Sequence, residues 1–247
     1  MLDNNLIYDF GFHNGDDTDF YLAKGFRVIA VEADPNLVQR GIERFNSQIR
    51  DGQLIILHKA VSDTGGVQNF YIHPVKSDWS SCFQELAESD GSKAEVVTVE
   101  TTCLDSLCKM YGVPRYLKVD VEGCDLLVAR QISRLDERPL FVSLETSKRD
   151  YAGLFAYLYV SGYVGYQLVN QANNVERAAP SVIGEGKAID YKFSQYSSGY
   201  FGADLPPDKW LSYDEALTRY LKYKELKQID NKELGLGWVD LHARRPQ

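Results

Sequence analysis

The sequence predicts an α/β fold built on a parallel sheet, and three observations carry that prediction. The first 63 residues alternate apolar strand-like runs with helix-patterned segments through short connections, in the order β-α-β-α-β. The first of these runs empties into a glycine-bearing turn, FGFHNG (10–15), at the lip of a helix. Carboxylates stand at the ends of two of the strand runs, Glu32 on the second and Asp120 with Glu122 on the fourth parallel one. Units of this kind pair in parallel through right-handed crossovers and take ligands at the carboxyl ends of their strands.

Each element has its own justification. LIYDFGF (6–12) is a short apolar run of the kind a doubly covered parallel strand needs. DDTDFYLAKG (16–25) spaces its apolar residues helically and closes on Gly25, with Asp16 and Asp17 placed as caps where carboxylates favour a helix N-terminus. RVIAVEA (27–33) is a buried strand rich in β-branched residues. Pro35 suits the first turn of a helix whose Leu37, Val38, Ile42 and Phe45 share one face. LIILHKAVSD (54–63) reads as a third strand with an exit loop, QNFYIH (68–73) as one more strand, and VVTVET (96–101) as a sheet-edge or hairpin strand. CLDSLCKMYG (103–112) is a helix with Leu104, Leu107, Cys108 and Tyr111 inward, followed by the strand YLKVDVEG (116–123) and the run PLFVSLET (139–146). KRDYAGLFAYLYVSG (148–162) reads as a helix stopped by Gly162; YVGYQLVN (163–170) and WVDLHARR (238–245) read as strands.

Composition limits the partners. A net charge of −8 and a pI near 5.1 oppose a broad nucleic-acid surface, which needs clustered Lys and Arg, and favour small or neutral substrates. The cysteines, Cys82, Cys103, Cys108 and Cys124, form no CxxC pair and have no histidine at zinc spacing, so they read as reduced core thiols of a cytoplasmic protein. No basic region precedes an apolar run at the N-terminus, and no apolar stretch approaches the roughly 20 residues that span a bilayer. The expected layout is one domain over 1–247, with residues 171–237 inserted between the last two strands as a lid or subdomain.

The turn after the first strand carries the chemistry. Glycine at 11 and 15 permits both a sharp reversal and close approach of a ligand, and the helix beginning near Asp16 turns unpaired N–H groups towards it. The pattern is D-x-G-x-x-x-G with Thr18 beyond it, wider than the dinucleotide fingerprint. Glu32 can accept two hydrogen bonds from a ribose diol, although Asp34 offers a competing carboxylate and a plain strand-to-helix turn explains the glycines alone.

Asp9, Gly11, Gly15 and Thr18, then VIAVEADP (28–35), KAVSD (59–63) and LKVDVEG (117–123), together resemble a class I S-adenosylmethionine-dependent methyltransferase, and within that superfamily the chain is similar to the FkbM family over 6–146. The resemblance implies a Rossmann-like sandwich: a seven-stranded, mostly parallel sheet with an antiparallel last strand and an insertion before it. It implies S-adenosyl-L-methionine as cofactor, with Gly11, Asn14 and Gly15 along its methionine portion and Asp9 near the amino group. Glu32 would hold the ribose, Ala33 would border the adenine, and Ala60, Val61 and Ser62 would flank it, with Phe12 and Thr18 completing the cradle. Phe12-His13 departs from the pattern, filling a place usually taken by a small, unreactive pair. A loop with Ser77, Trp79, Ser80 and Ser81 would pass over the adenine or the substrate mouth.

A hydroxyl acceptor needs a base within hydrogen-bond reach, and three candidates stand: Asp120 by position, His13 by its intrinsic pKa, and Glu145 at a strand end. Asp120 and Glu122, two apart on an extended chain, share a face with Lys118 and can orient the cofactor's amino group, accept a proton or hold a cation. Hard-cation sites recruit more oxygens than these two, so no metal set is assigned. The insertion carries SQYSSGYFGADLPPDKW (194–210) and a charged helix (213–228), read as a lid that stacks on an acceptor, a packed subdomain, or a homodimer contact. The expected activity is O-methylation of a glycan, glycolipid or secondary metabolite; the alternatives are an NAD(P)-binding oxidoreductase and a non-catalytic binding or scaffold protein.

Overall fold

Residues 1–146, 150–171, 183–229 and 238–246 are described by a computed structural model. The chain opens with strand β1 (Leu2–Phe10), helix α1 (Asp16–Ala23), β2 (Arg27–Glu32), α2 (Pro35–Arg44), a short α3 (Asn46–Arg50) and β3 (Leu54–His58). A small excursion follows: β4 (Ala60–Val61), β5 (Gly66–Ile72), the single turn α4 (Gln84–Ala87) and β6 (Glu95–Thr102). The sheet resumes through α5 (Leu104–Tyr111), β7 (Val113–Val119), α6 (Asp125–Arg134), β8 (Phe141–Glu145), α7 (Tyr151–Val160) and β9 (Gly165–Asn170). Helix α8 (Tyr213–Ile229) and β10 (Val239–Arg244) complete it.

The main sheet has seven strands in the order β3-β2-β1-β7-β8-β10-β9. Its first five strands run parallel, and β10 is antiparallel to both neighbours. Because β1 is followed by β2 on one side and flanked by β7 on the other, the strand order reverses there, and a crevice opens at the carboxyl ends of β1, β2 and β7.

Alternation along β1 builds the two faces. Leu6, Tyr8 and Phe10 pack with Leu104, Val128, Ile132 and Phe155 of the helices on one side. Ile7 packs with Phe20, Tyr21 and Phe45 on the other. The insertion contributes to both: Tyr220 of α8 joins the first cluster, and Phe193 and Phe201 fill the second. Phe201 sits 4.8 Å from the Tyr116 ring and 4.9 Å from that of Tyr21, fully buried. Truncating such a side chain to alanine costs about 3–5 kcal/mol. The described part of the insertion is thus core as well as cover.

Several expectations shift. Residues 54–63 are a strand and its exit as expected, but the exit carries a strand of its own: after β3 the chain leaves the main sheet, and β4 pairs with β6 in a second sheet ordered β4-β6-β5. On α2, Ile42 is exposed and Gly41 faces inward instead, since a Cβ there would stand 2.6 Å from the ring of Phe12. Asp120 and Glu122 do not share a face of an extended chain. β7 stops at Val119, and the chain turns through Glu122 at φ 27° and Gly123 at φ 97°. Helix α6, with Val128, Ala129 and Ile132 buried, was not among the predicted elements. Among the described residues no helix is long and apolar enough to cross a membrane.

Candidate active site

A cavity of about 480 Å³ occupies the crevice, within the roughly 300–1,000 Å³ of small-molecule sites. Its floor is the turn after β1. Gly11 donates its N–H to Val31 O at 3.0 Å, bringing the turn over the end of β2. At its φ of +84° a Cβ would lie 1.8 Å from the Asp120 carbonyl oxygen, so only glycine lets the two loops meet. Phe12 folds back beneath the turn onto Gly41 and Gly15, and Gly15 then enters α1 at φ 83°. Among the sequence-predicted residues, Gly11, Phe12, His13, Asn14, Glu32 and Ala33 line the cavity, as do Ala60, Val61, Asp120, Glu122 and Glu145. Asp9, Gly15, Thr18 and Ser62 lie outside its lining. Thr18 is fully buried and donates to Asp9 Oδ2 at 2.6 Å, while Ser62 carries a backbone bond to Thr102 and accepts from Gln131.

Glu32 is the anchor of one end. Its two oxygens accept the backbone N–H groups of His13 and Asp34, each at 2.8 Å. Burial outweighs these donors and pushes its pKa up to about 7. Beyond it, Ala33, Ala60, Val61 and Phe70 form an apolar wall closed by the second sheet. His13 takes a left-handed backbone at φ 51° so that its N–H reaches Glu32, and its ring Nε2 lies 2.8 Å from Ser77 Oγ. Burial, and then the charge of Lys118, hold its pKa below the ordinary value, so the imidazole is neutral at physiological pH.

Lys118 governs the other end. Its buried ammonium lies 3.5 Å from Asp9, 3.4 Å from Asp17 and 3.4 Å from Asp120, and donates to Gly11 O at 3.1 Å. Surrounding carboxylates overcome its burial and raise its pKa, keeping it charged. Asp9, fully buried, is nevertheless raised to about 6, because burial outweighs the shared ammonium. Asp120 keeps 42% of its side chain accessible on the cavity side. One carboxylate oxygen from each of Asp120, Glu122 and Glu145 lies within 4.8 Å of the others. Burial, then the charges of Glu145 and Asp120, push Glu122 up to about 10, and burial with Asp120 pushes Asp125 to about 8. A cationic group is favoured at this end. A hard divalent cation takes about six oxygens, of which these carboxylates supply only part.

The remaining wall was only partly signalled. Ser77, Trp79 and Ser80 come from the serine-bearing loop; Ser81 instead sits behind it, donating to the Glu122 carbonyl at 2.7 Å. Gln195 and Tyr196 come from the aromatic stretch of the insertion, with the Tyr196 ring 5.5 Å from that of His13. Asp16 and Asp17 are not side-chain caps of α1. Asp17 accepts both the N–H and the hydroxyl of Ser198 at 2.7 Å, and Asp16 accepts from Ser194 and Arg44, so these acids moor the insertion. Cys82, Cys124, Gln171 and Trp238 also line the cavity, and no sequence pattern marks them.

The model of the methyltransferase FkbM domain matches residues 9–168, starting at the acid that leads the turn and reaching into the edge strand β9. The chain belongs to the FkbM methyltransferase family. Its seven-stranded, mostly parallel sheet with an antiparallel last strand is the fold that the sequence resemblance implies. Among solved structures it is similar to a methyltransferase FkbM from Methylobacillus flagellatus KT, at 16% identity and a TM-score of 0.44 over 69% of this chain. The match spans 40% of that protein's length. It is also similar to precorrin-6y C5,15-methyltransferase from Geobacter metallireducens GS-15, at 10% identity and a TM-score of 0.42, over 100% of this chain and 82% of that one. A third is geranyl diphosphate C-methyltransferase from Streptomyces coelicolor A3(2), solved with Mg²⁺, geranyl diphosphate and S-adenosyl-L-homocysteine, at 10% identity and a TM-score of 0.39, over 98% of this chain and 74% of that one. No curated protein matches.

Proposed function

We propose that this FkbM-family protein transfers a methyl group from S-adenosyl-L-methionine to a hydroxyl of a glycan, glycolipid or secondary metabolite. The observation that carries this reading is the single cavity running from Glu32 at the end of β2, past Gly11, to the acid-rich end at Asp120. Its chemistry fits the cofactor. The buried Glu32 carboxylate suits a ribose diol, the apolar wall of Ala33, Ala60, Val61 and Phe70 suits a purine, and the carboxylates around Asp120 suit a sulfonium and an ammonium. A dinucleotide fits poorly, because a pyrophosphate over α1 would face Asp16 and Asp17 and find Lys118 already shared by three carboxylates.

When bound, the cofactor supplies a methyl group activated on sulfur. The protein's part is to orient and deprotonate the acceptor. Asp120, half exposed to the cavity and held by Lys118, takes the hydroxyl proton. Glu145 and the Gln171 side of the wall offer polar contacts to neighbouring hydroxyls, and Trp238 and Tyr196 offer faces on which a sugar or aromatic ring can stack. His13, already bonded through its backbone to Glu32 and through its ring to Ser77, joins the cofactor end to the wall. Calorimetric titration with S-adenosylhomocysteine and, separately, NAD tests the cofactor. Binding of the first and not the second is expected, and failure to bind S-adenosylhomocysteine overturns the proposal. Methyl transfer to hydroxylated glycans and phenols, with amine acceptors alongside, tests the O-directed part.

A further inference from the structure

Two of the four cysteines meet in the wall of the cavity. Cys82 follows the Ser77–Ser80 segment, Cys124 follows the turn through Glu122, and both line the cavity. Cys124 is 4% exposed, whereas Cys82 is half-buried. The segments that carry them are clamped together independently of the sulfurs. Ser81 Oγ donates to the Glu122 carbonyl at 2.7 Å and accepts the Phe83 N–H at 3.0 Å. A Cβ on Gly123 would stand 2.6 Å from Leu86 and 3.1 Å from Phe83, so the two segments are in close contact on that side as well. Between these contacts the two thiols lie near enough to shift each other's pKa.

The pair is chemically unequal. Gln68 Nε2 donates to the Cys82 sulfur at 2.7 Å. The nearness of Cys124 and the hydrogen bond from Gln68 hold the Cys82 thiol below its ordinary pKa against the opposing effect of burial. The nearness of Cys82, with burial, pushes Cys124 up. The sulfur that is reachable is therefore the better nucleophile, and its partner waits behind it, the arrangement of an attacking and a resolving thiol. Neither of the other two cysteines offers this. Cys103 contacts Ser106, and burial pushes the Cys108 thiol up to about 12.

We propose that Cys82 and Cys124 form a redox-active dithiol that closes to a disulfide in the cavity wall on meeting a small-molecule disulfide. The Cys82 thiolate attacks one sulfur of that molecule, forming a mixed disulfide and releasing one thiolate, which picks up a proton. Cys124 gives up its proton, and its sulfur attacks the Cys82 sulfur, forming the protein disulfide and expelling the second small thiol. Two protein thiols are oxidised, and one small-molecule disulfide is reduced to two thiols. The new bond ties the Ser77–Ser80 wall to the turn that carries Asp120 and Glu122, so oxidation restrains both sides of the cavity at once. This does not depend on which cofactor the cavity takes.

The test incubates the full-length protein with oxidised glutathione, blocks the remaining thiols by alkylation and maps peptides without reduction. A Cys82–Cys124 disulfide with the loss of two hydrogen masses and no retained glutathione is expected, with Cys103 and Cys108 alkylated. Cys124→Ser should trap glutathione on Cys82, and Cys82→Ser should abolish both products. A wild-type protein that retains glutathione on Cys82 without closing, or in which all four thiols are alkylated, would overturn the proposal. The wild-type map decides the matter even if a variant does not fold.

Discussion

Replacing Gly11 with alanine puts a Cβ where the Asp120 carbonyl oxygen already stands, 1.8 Å away, on a backbone held at φ +84°. The left-handed conformation alone costs a non-glycine residue about 1–2 kcal/mol. Forcing atoms into packed space adds about 1–3 kcal/mol, and here the obstacle is backbone, which has no rotamer to change. Gly52 provides the control: its φ is +74°, and nothing lies within 4 Å of where a Cβ would stand. Gly11→Ala should therefore cost about 2–5 kcal/mol and Gly52→Ala about 1–2 kcal/mol. At about 2–4 °C per kcal/mol for a chain of this size, Tm should fall by about 4–20 °C in the first and about 2–8 °C in the second. Urea denaturation of both variants, with m-values checked against the parent, gives the free energies directly. Equal losses would refute close approach as the reason for glycine at 11.

Other outcomes follow from the same geometry. Asp120→Asn should lower methyl transfer by about 100- to 10,000-fold, the usual worth of a general base, while S-adenosylhomocysteine affinity moves far less; equal losses in both would make Asp120 a binding group. Glu32→Gln should weaken S-adenosylhomocysteine binding by about 10- to 100-fold, the worth of a charge-assisted hydrogen bond, and calorimetry showing no change would remove Glu32 from the cofactor site. Burial raises Asp9 to about 6, Glu32 to about 7, Asp125 to about 8 and Glu122 to about 10, all above their values in the unfolded chain. The folded state then binds more protons than the unfolded one, so stability without ligand falls as pH rises from about 5 to about 9. Glu122→Gln should flatten that slope, raising Tm at about pH 9 with little effect at about pH 4; melting curves that keep the parent's slope would contradict it.

The parallel sheet was legible because its strands are continuous apolar runs, and the turn after β1 because glycine spacing is a backbone requirement written in residue type. Glu32 and Asp120 could be placed at strand ends for the same reason. What escaped depends on partners far along the chain. Asp17 looks like a helix cap in sequence, and its partner is Ser198, 181 positions away. β4 is two residues long, too short for a period to register, yet it redirects the chain into the second sheet. Gly41 yields its inward place to no side chain because Phe12 needs the space, a demand invisible on α2 itself. α6 was different: the spacing of Val128, Ala129 and Ile132 was there to be read.

The mooring of the insertion on α1 bears on how such a protein can acquire new acceptors. Ser194 and Ser198 are held by Asp16 and Asp17, and Tyr191 by Asp19, all within the first turn of one helix. Gly11, in the loop before that helix, and Glu32, at the end of β2, have no bond to that segment among those described. The first turn of α1 is therefore a socket, and the insertion a part that plugs into it. A chimera that exchanges the segment around 191–198 together with its three acids must keep an acid at 17, because Asp17 also pairs with Lys118, which donates to Gly11 O. Exchanging the segment alone strands Asp17 as a buried acid without its two donors, and the graft fails at the joint rather than at the chemistry.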